Sequence, residues 1–130
     1  MRGAFGLPVF TMAATPPPIN AEWLARMRST KPQLLRSLFG MFLDDEPARL
    51  ATLAEAVAKG DLKLTRYHAH SLKGAAATMG MEPLRDACRE LEFAAKAEPA
   101  EVTALTPALE RLIHEAETVF VVMRQELAHP

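Results

Sequence analysis

The sequence predicts an all-α protein, an up-down-up-down antiparallel four-helix bundle with a short extra N-terminal helix. Three observations lead there. Beyond residue 20, apolar residues recur three and four positions apart, the spacing that lines one face of a helix. No segment shows the strict apolar and polar alternation of a half-buried strand. Proline, glycine and asparagine fall where helices start and stop, leaving connections short enough to make successive helices antiparallel neighbours.

The elements follow in order. Residues 1–18 read as a disordered or extended lead-in and residues 19–130 as one domain. Met1 to Thr15 is mildly apolar, with Arg2 as its one charge and Gly3, Gly6 and Pro8 interrupting it, and Pro16-Pro17-Pro18 favours extended backbone. Asn20 is placed as the N-cap of a short helix over Ala21 to Arg28, whose Trp23, Leu24 and Met27 share one side and cover an end or edge of the bundle. Thr30 and Pro32 open a second helix with Leu35, Leu38, Phe39 and Phe42 at helical spacing, reaching about Leu43. Pro47 opens a third, carrying Leu50, Leu53, Ala54 and Val57 and ending at Gly60.

A further helix spans Asp61 to about Met79 and stops at Gly80. Pro83 reopens the chain into a helix with Leu84, Ala87, Cys88, Leu91, Ala94 and Ala95 that ends near Glu98. The last helix starts around Pro99 and bears a stripe from Leu105 through Leu112, Ala116 and Phe120 to Leu127. Pro107 lies within it. Either the helix kinks there or Thr106 caps a fresh start.

Composition bounds the function. The chain has 130 residues, 49% of them hydrophobic, enough for one core and too few for two ordinary domains. A formal net charge of -1, with both signs interspersed, gives no basis for nucleic acid or anionic membrane as the main partner. Cys88 is the only cysteine, so no intramolecular disulfide ties the chain to an oxidising compartment, and its apolar helical position reads as a buried small residue. The most hydrophobic segment, Val119 to Met123, is soon bounded by Arg124 and Glu126 and is too short to span a membrane. These features suit a cytoplasmic protein. The seven methionines sit among helical apolar positions and read as core filler.

The chemistry is concentrated in Ala69-His70-Ser71-Leu72-Lys73-Gly74 and the following Ala75 to Gly80. At roughly 100° per residue, Lys63, Arg66, Tyr67, Lys73, Gly74 and Ala77 fall within about 60° of His70. Thr65, His68, Leu72, Ala75, Ala76 and Met79 fall on the opposite, mostly apolar side. His70 is thereby directed into solvent. A neutral imidazole nitrogen can attack an activated phosphoryl group, and Lys73 and Arg66 can offset the charge that results. Lys63, Arg66, Tyr67 and Ala77 complete a candidate partner-binding patch. Glycine inside a helix costs about 1 kcal/mol relative to alanine, so Gly74, one turn from His70, points to the close approach of another molecule.

These residues resemble the histidine phosphotransfer (HPt) domain family of multistep two-component phosphorelays. The likeness begins at the Gly60-Asp61 turn, runs through Ala69-His70-Ser71-Leu72-Lys73-Gly74 and Gly80, takes in Leu84, Cys88, Leu91 and Glu92, and covers most of residues 32 to 127. The family has an aliphatic residue before its Ala-His pair where this chain has His68. The resemblance implies a monomeric helical bundle in which His70 is the phosphoacceptor, Lys73 assists it, and Gly74 leaves space for a receiver domain bearing a phosphorylatable aspartate. It implies response-regulator receivers and a hybrid sensor histidine kinase as partners. The chain has no glycine-rich nucleotide loop and no acidic cluster built for magnesium, so it reads as a phosphocarrier with no cofactor of its own, the ion being supplied by the receiver. In the docked complex the receiver covers the His70 face, with Phe39 or Phe42 of the second helix contributing contacts.

Other readings are weaker. His68 and His70, two apart, diverge by roughly 200°, whereas helical zinc pairs use a spacing of four, so no metal site follows. His68 is expected as a hydrogen-bonded packing residue on the core side. His114 and His129 carry no recognisable site. The alternative function is a helical module that binds and inhibits a kinase or receiver without carrying phosphate.

Overall fold

The computed structural model describes residues 16–100 and 102–129. Among these residues there are five helices: α1 (Ala21–Thr30), α2 (Pro32–Ala58), α3 (Leu62–Thr78), α4 (Glu82–Lys96) and α5 (Val102–Ala128). Helices α2 to α5 form the antiparallel four-helix bundle, with α3 packed on α4, α4 on α5, and α2 on both α3 and α5. The lead-in expected for residues 1–18 falls, over 1–15, outside the described residues. Ile19 is already buried.

Helix α1 crosses the end of the bundle as expected. Asn20 caps it, its side-chain oxygen accepting from the Trp23 backbone N–H at 2.9 Å, and the Asn20 N–H donates to the Gly80 carbonyl at 2.8 Å. Gly80 has φ 68°, and a Cβ there would lie 3.1 Å from the Asn20 Cβ, so the α3–α4 turn and the α1 entry need glycine for both reasons. At the C-terminal end of α1, the Arg28 guanidinium donates twice to the Glu126 carboxylate of α5.

The expected second and third helices are one. Helix α2 runs unbroken through Pro47, because its inward residues Leu35, Phe39, Phe42, Glu46, Leu50 and Leu53 keep a single three-and-four register across the proline. Pro47 lies on the exposed side of the helix, away from the buried stripe. Packing of the continuous stripe therefore outweighs the lost hydrogen bond. The last helix is likewise continuous through exposed Pro107, with Leu105, Ala108, Leu109 and Leu112 buried on either side, so Thr106 caps no fresh start. Its boundary also moves: α4 ends at Lys96 and α5 begins at Val102, since Pro99 disfavours helical backbone at the residue before it.

The core contains Phe39, Leu53, Leu72, Met81, Leu84, Leu91, Leu112 and Met123, with Phe42 and Phe120 edge to face at 5.9 Å between ring centroids. Cys88 is buried there, and burial together with the charges of Glu46 and Glu92, only partly offset by Lys73, pushes its thiol up to about 12. Met41 departs from the core-filler reading, being 60% exposed on the outer face of α2.

Candidate functional site

The site is built on α3, whose orientation is set at both ends. Helix α2 closes with Gly60 at φ 70°, the Gly60 N–H bonding to the Val57 carbonyl at 3.1 Å and the Asp61 N–H to the Ala56 carbonyl at 2.9 Å. Asp61 then caps α3, its carboxylate accepting from the Leu64 N–H at 3.1 Å. Further along the chain, Gly80 repeats the turn made at Gly60, with the Met81 N–H reaching the Ala76 carbonyl at 2.9 Å. Held this way, α3 buries Thr65, Ala69, Leu72 and Ala76 and presents the His70 face outward. The Thr65 hydroxyl, fully buried, donates to the Asp61 carbonyl at 2.8 Å and so leaves no unpaired donor in the core.

His70 is 69% exposed at its side chain, yet it is not free. Its Nδ1 lies 3.0 Å from Glu92 Oε2, across the seam between α3 and α4. Lys73 Nζ donates to Glu92 Oε1 at 2.6 Å, and Lys96 Nζ lies 3.3 Å from Oε2. One carboxylate, 6% exposed, thus gathers the imidazole and two ammonium groups. Burial by itself raises the Glu92 carboxyl, but hydrogen bonds from Lys73, Lys96 and His70 outweigh it and hold the group below the ordinary range, ionised at neutral pH.

An ionised carboxylate only accepts, so the nitrogen facing Glu92 is the one that carries the proton. The tautomer is thereby assigned: Nδ1 protonated and Nε2, the outward nitrogen, holding the free lone pair. The arrangement offers a nucleophilic nitrogen to solvent, with the opposite ring nitrogen anchored to a buried charge and cations within one turn.

The remaining predicted residues take their places on two sides of His70. Arg66 and Lys73 lie toward α4, the Arg66 guanidinium donating to the Ala95 carbonyl at 3.4 Å near the end of that helix. Tyr67, 64% exposed, and Lys63 line a shallow cavity of about 240 Å³ with Asp61 and Leu64. Gly74 and Ala77 are exposed on α3, and a Cβ built on Gly74 meets nothing within 4 Å. No intramolecular packing accounts for glycine at that position, which is the geometry expected if an external surface comes close.

Two expectations are corrected. Phe39 and Phe42 are not available to a docked partner: they are 0% and 4% exposed and belong to the core stripe of α2. His68 is not hydrogen-bonded at Nδ1, which is buried without a partner. Burial and the nearby Arg49 charge both lower its pKa, keeping the ring neutral, and the Tyr67 ring packs edge-on against it at 5.2 Å.

Glu92 and Lys96 are members of the His70 cluster that sequence reasoning missed; Glu92 entered there only as part of a family likeness. A signal was present. Glu92 interrupts the apolar face of α4 between Cys88, Leu91 and Ala95, where an unpaired carboxylate would be costly. Ten residues separate His70 from Gly80 and twelve separate Gly80 from Glu92, so two antiparallel arms of nearly equal length bring the pair level.

Comparison with known proteins agrees with this geometry. The Hpt domain model matches residues 37–119, a span that takes in α3, α4 and the whole His70, Lys73, Glu92 and Lys96 cluster. The fold is similar to the crystal structure of histidine-containing phosphotransfer protein B (HptB) from Pseudomonas aeruginosa PAO1, at 28% sequence identity and a TM-score of 0.79, covering 89% of this chain and 99% of that one. No curated protein gives a significant match. A family model spanning more than half of the chain, on a bundle of the same architecture, places this protein in the Hpt domain family of histidine phosphotransfer proteins.

Proposed function

We propose that this protein is a phosphorelay intermediate in which His70 accepts a phosphoryl group from a receiver-domain aspartate and passes it to another receiver. One observation carries the reading: an exposed imidazole whose Nδ1 is fixed 3.0 Å from a buried carboxylate, leaving Nε2 as the outward nucleophile.

In the forward step the Nε2 lone pair attacks phosphorus, the bond to the aspartyl oxygen breaks, and its electron pair returns to the partner's carboxylate. The imidazole becomes positively charged while its Nδ1 proton stays on the hydrogen bond to Glu92, so no proton has to move. The negative charge of Glu92 stabilises that cation. Delivery is the reverse: an aspartate oxygen attacks phosphorus and neutral imidazole leaves. Lys73 and Lys96, both on the Glu92 side of the ring, can turn toward the phosphoryl oxygens when these arrive. Phosphoryl transfer depends on positioning and charge neutralisation, and magnesium, brought by the receiver, supplies part of the latter. Gly74 and Ala77 leave the surface low enough for that receiver to approach.

On this reading the chain is a phosphocarrier and no enzyme with a nucleotide site of its own. A hybrid sensor histidine kinase stands upstream and response regulators downstream. No helix among the described residues is long and apolar enough to cross a membrane. The test is transfer from a panel of phosphorylated receiver domains to the wild type and to His70→Gln, read by intact-mass spectrometry at neutral pH. Label on the wild type alone supports the reading. A folded protein that binds a receiver and never takes label makes it an inhibitory binding module instead.

A further inference from the structure

Phe93 is the most exposed large apolar side chain among the described residues, at 70%. It directly follows Glu92, so its ring projects from α4 one position round the helix from the carboxylate that holds His70. Helix α4 is otherwise cleanly divided, its inward face carrying Leu84, Ala87, Cys88, Leu91, Ala94 and Ala95. A phenyl ring on the wet face of such a helix needs a reason that the fold does not supply.

The surroundings of Phe93 are cationic. Arg89 lies one turn before it and Lys96 one turn after, both exposed, and Arg89 has no acidic partner among the described residues. Across the seam come Lys73 and Arg66 of α3. Of the acids near this face, Glu92 is buried and already shared by three groups, while Asp86 and Glu90, which line the same clefts as Phe93, are paired with Arg85 and Arg111. Phe93 also forms a wall common to two adjoining clefts of about 410 and 580 Å³ between α4 and α5, where the Arg111–Glu90 ion pair at 2.7 Å lies across from it. An apolar prominence between cations, with concave ground on its far side, is the form of an anchor residue in a protein interface.

We infer that the outer face of α4, centred on Phe93 with Arg89 and Lys96 on either side, is part of the surface on which the receiver domain docks and helps to select it. The inference rests on the phosphocarrier reading, which sets a receiver over His70. Charge complementarity favours that occupant. A partner that offers an aspartyl phosphate and holds magnesium beside it brings a cluster of acids to the contact, and the basic band from Arg66 to Arg89 meets it. The Phe93 ring then fills an apolar recess on the partner's rim.

The experiment uses the full chain and beryllofluoride-loaded receiver domains encoded in the same genome, with affinity measured by calorimetry at several salt concentrations and transfer measured separately. Phe93→Ala is expected to weaken binding by about thirtyfold. Arg89→Glu is expected to weaken binding and flatten its salt dependence. Val121→Ala, an exposed apolar residue of α5, is the control and stays within about twofold of wild type, as ordinary surface substitutions do. At saturating receiver the transfer rate of Phe93→Ala matches wild type, since the residue does not touch the imidazole. Affinity of Phe93→Ala within twofold of wild type overturns the inference, as do an equal loss in Val121→Ala and binding to no receiver in the set. Phe93-dependent binding without any phosphoryl transfer leaves the docking surface standing and removes the phosphocarrier reading. Transfer to His70 with an affinity that Phe93→Ala leaves unchanged does the opposite.

Discussion

Replacing Glu92 by glutamine removes one charge and keeps the shape, and it separates what the carboxylate does for His70 from what it does for the fold. In the wild type its oxygens lie 3.0 Å from His70 Nδ1 and 2.6 Å from Lys73 Nζ. A hydrogen bond to an ionised partner is about twice as strong as a neutral one, so the amide forfeits roughly 1 kcal/mol of its hold on the imidazolium that forms during transfer. That loss slows single-turnover phosphorylation about fivefold. The figure stays modest because the ring is largely in water. The fold loses more: Lys73, 28% exposed, is left without its counterion, and breaking this partly buried pair costs about 1–3 kcal/mol.

The pH dependence has a definite sign. The Glu92 carboxyl is lowered from its ordinary 4.5 in the folded chain, so its contribution is present in full above that value and is lost as pH falls through the folded pKa. Denaturation midpoints of wild type and Glu92→Gln should therefore converge in acid and stay apart at neutrality, with unchanged denaturant slopes. Nitrogen chemical shifts of the His70 ring report the tautomer: Nδ1–H dominates in wild type, and the variant gains the other form. Equal transfer rates together with an unchanged tautomer in Glu92→Gln would refute the assigned role.

Other substitutions probe neighbouring claims. Gly74→Ala should stabilise the protein by about 1 kcal/mol, because nothing lies within 4 Å of the new Cβ, whereas Gly74→Trp keeps the helical circular dichroism and loses transfer. Gly80→Ala meets a positive φ of 68° and the Asn20 Cβ at 3.1 Å, and thermal unfolding should show a loss of about 1–3 kcal/mol. Pro47→Ala restores a hydrogen bond within the continuous helix α2 and should raise stability by up to about 3 kcal/mol in denaturant titrations, with transfer unaffected.

The helix faces were legible wherever apolar spacing was unambiguous. Three- and four-residue periodicity put Leu72 and Ala76 inside and His70 outside, and Gly60 and Gly80 marked their turns correctly because only a left-handed residue closes both helices there. Pro47 misled for a physical reason. A proline penalty is local, while the stripe from Leu35 to Leu53 gains its energy over the whole length of α2, and spacing across the proline held the clue. The same register buries Phe39 and Phe42 and so keeps them from a docked partner. The site was legible only along α3. Lys73 and Gly74 share the His70 helix and can be read from one wheel, but Glu92 and Lys96 lie on another helix, and their contact depends on the length of two arms about Gly80. The orphan Nδ1 of His68 was beyond periodicity, since a side chain's facing says nothing of whether a partner awaits it.

The central claim is that His70 Nε2 carries the phosphoryl group while Nδ1 keeps its proton on Glu92. Nitrogen and phosphorus NMR of the ¹⁵N-labelled chain, phosphorylated by a receiver domain at neutral pH, tests it most directly. The account predicts a single phosphorylated residue, with phosphorus coupled to Nε2 of His70 and a protonated Nδ1. Phosphorus on Nδ1, on another residue, or on none would contradict it.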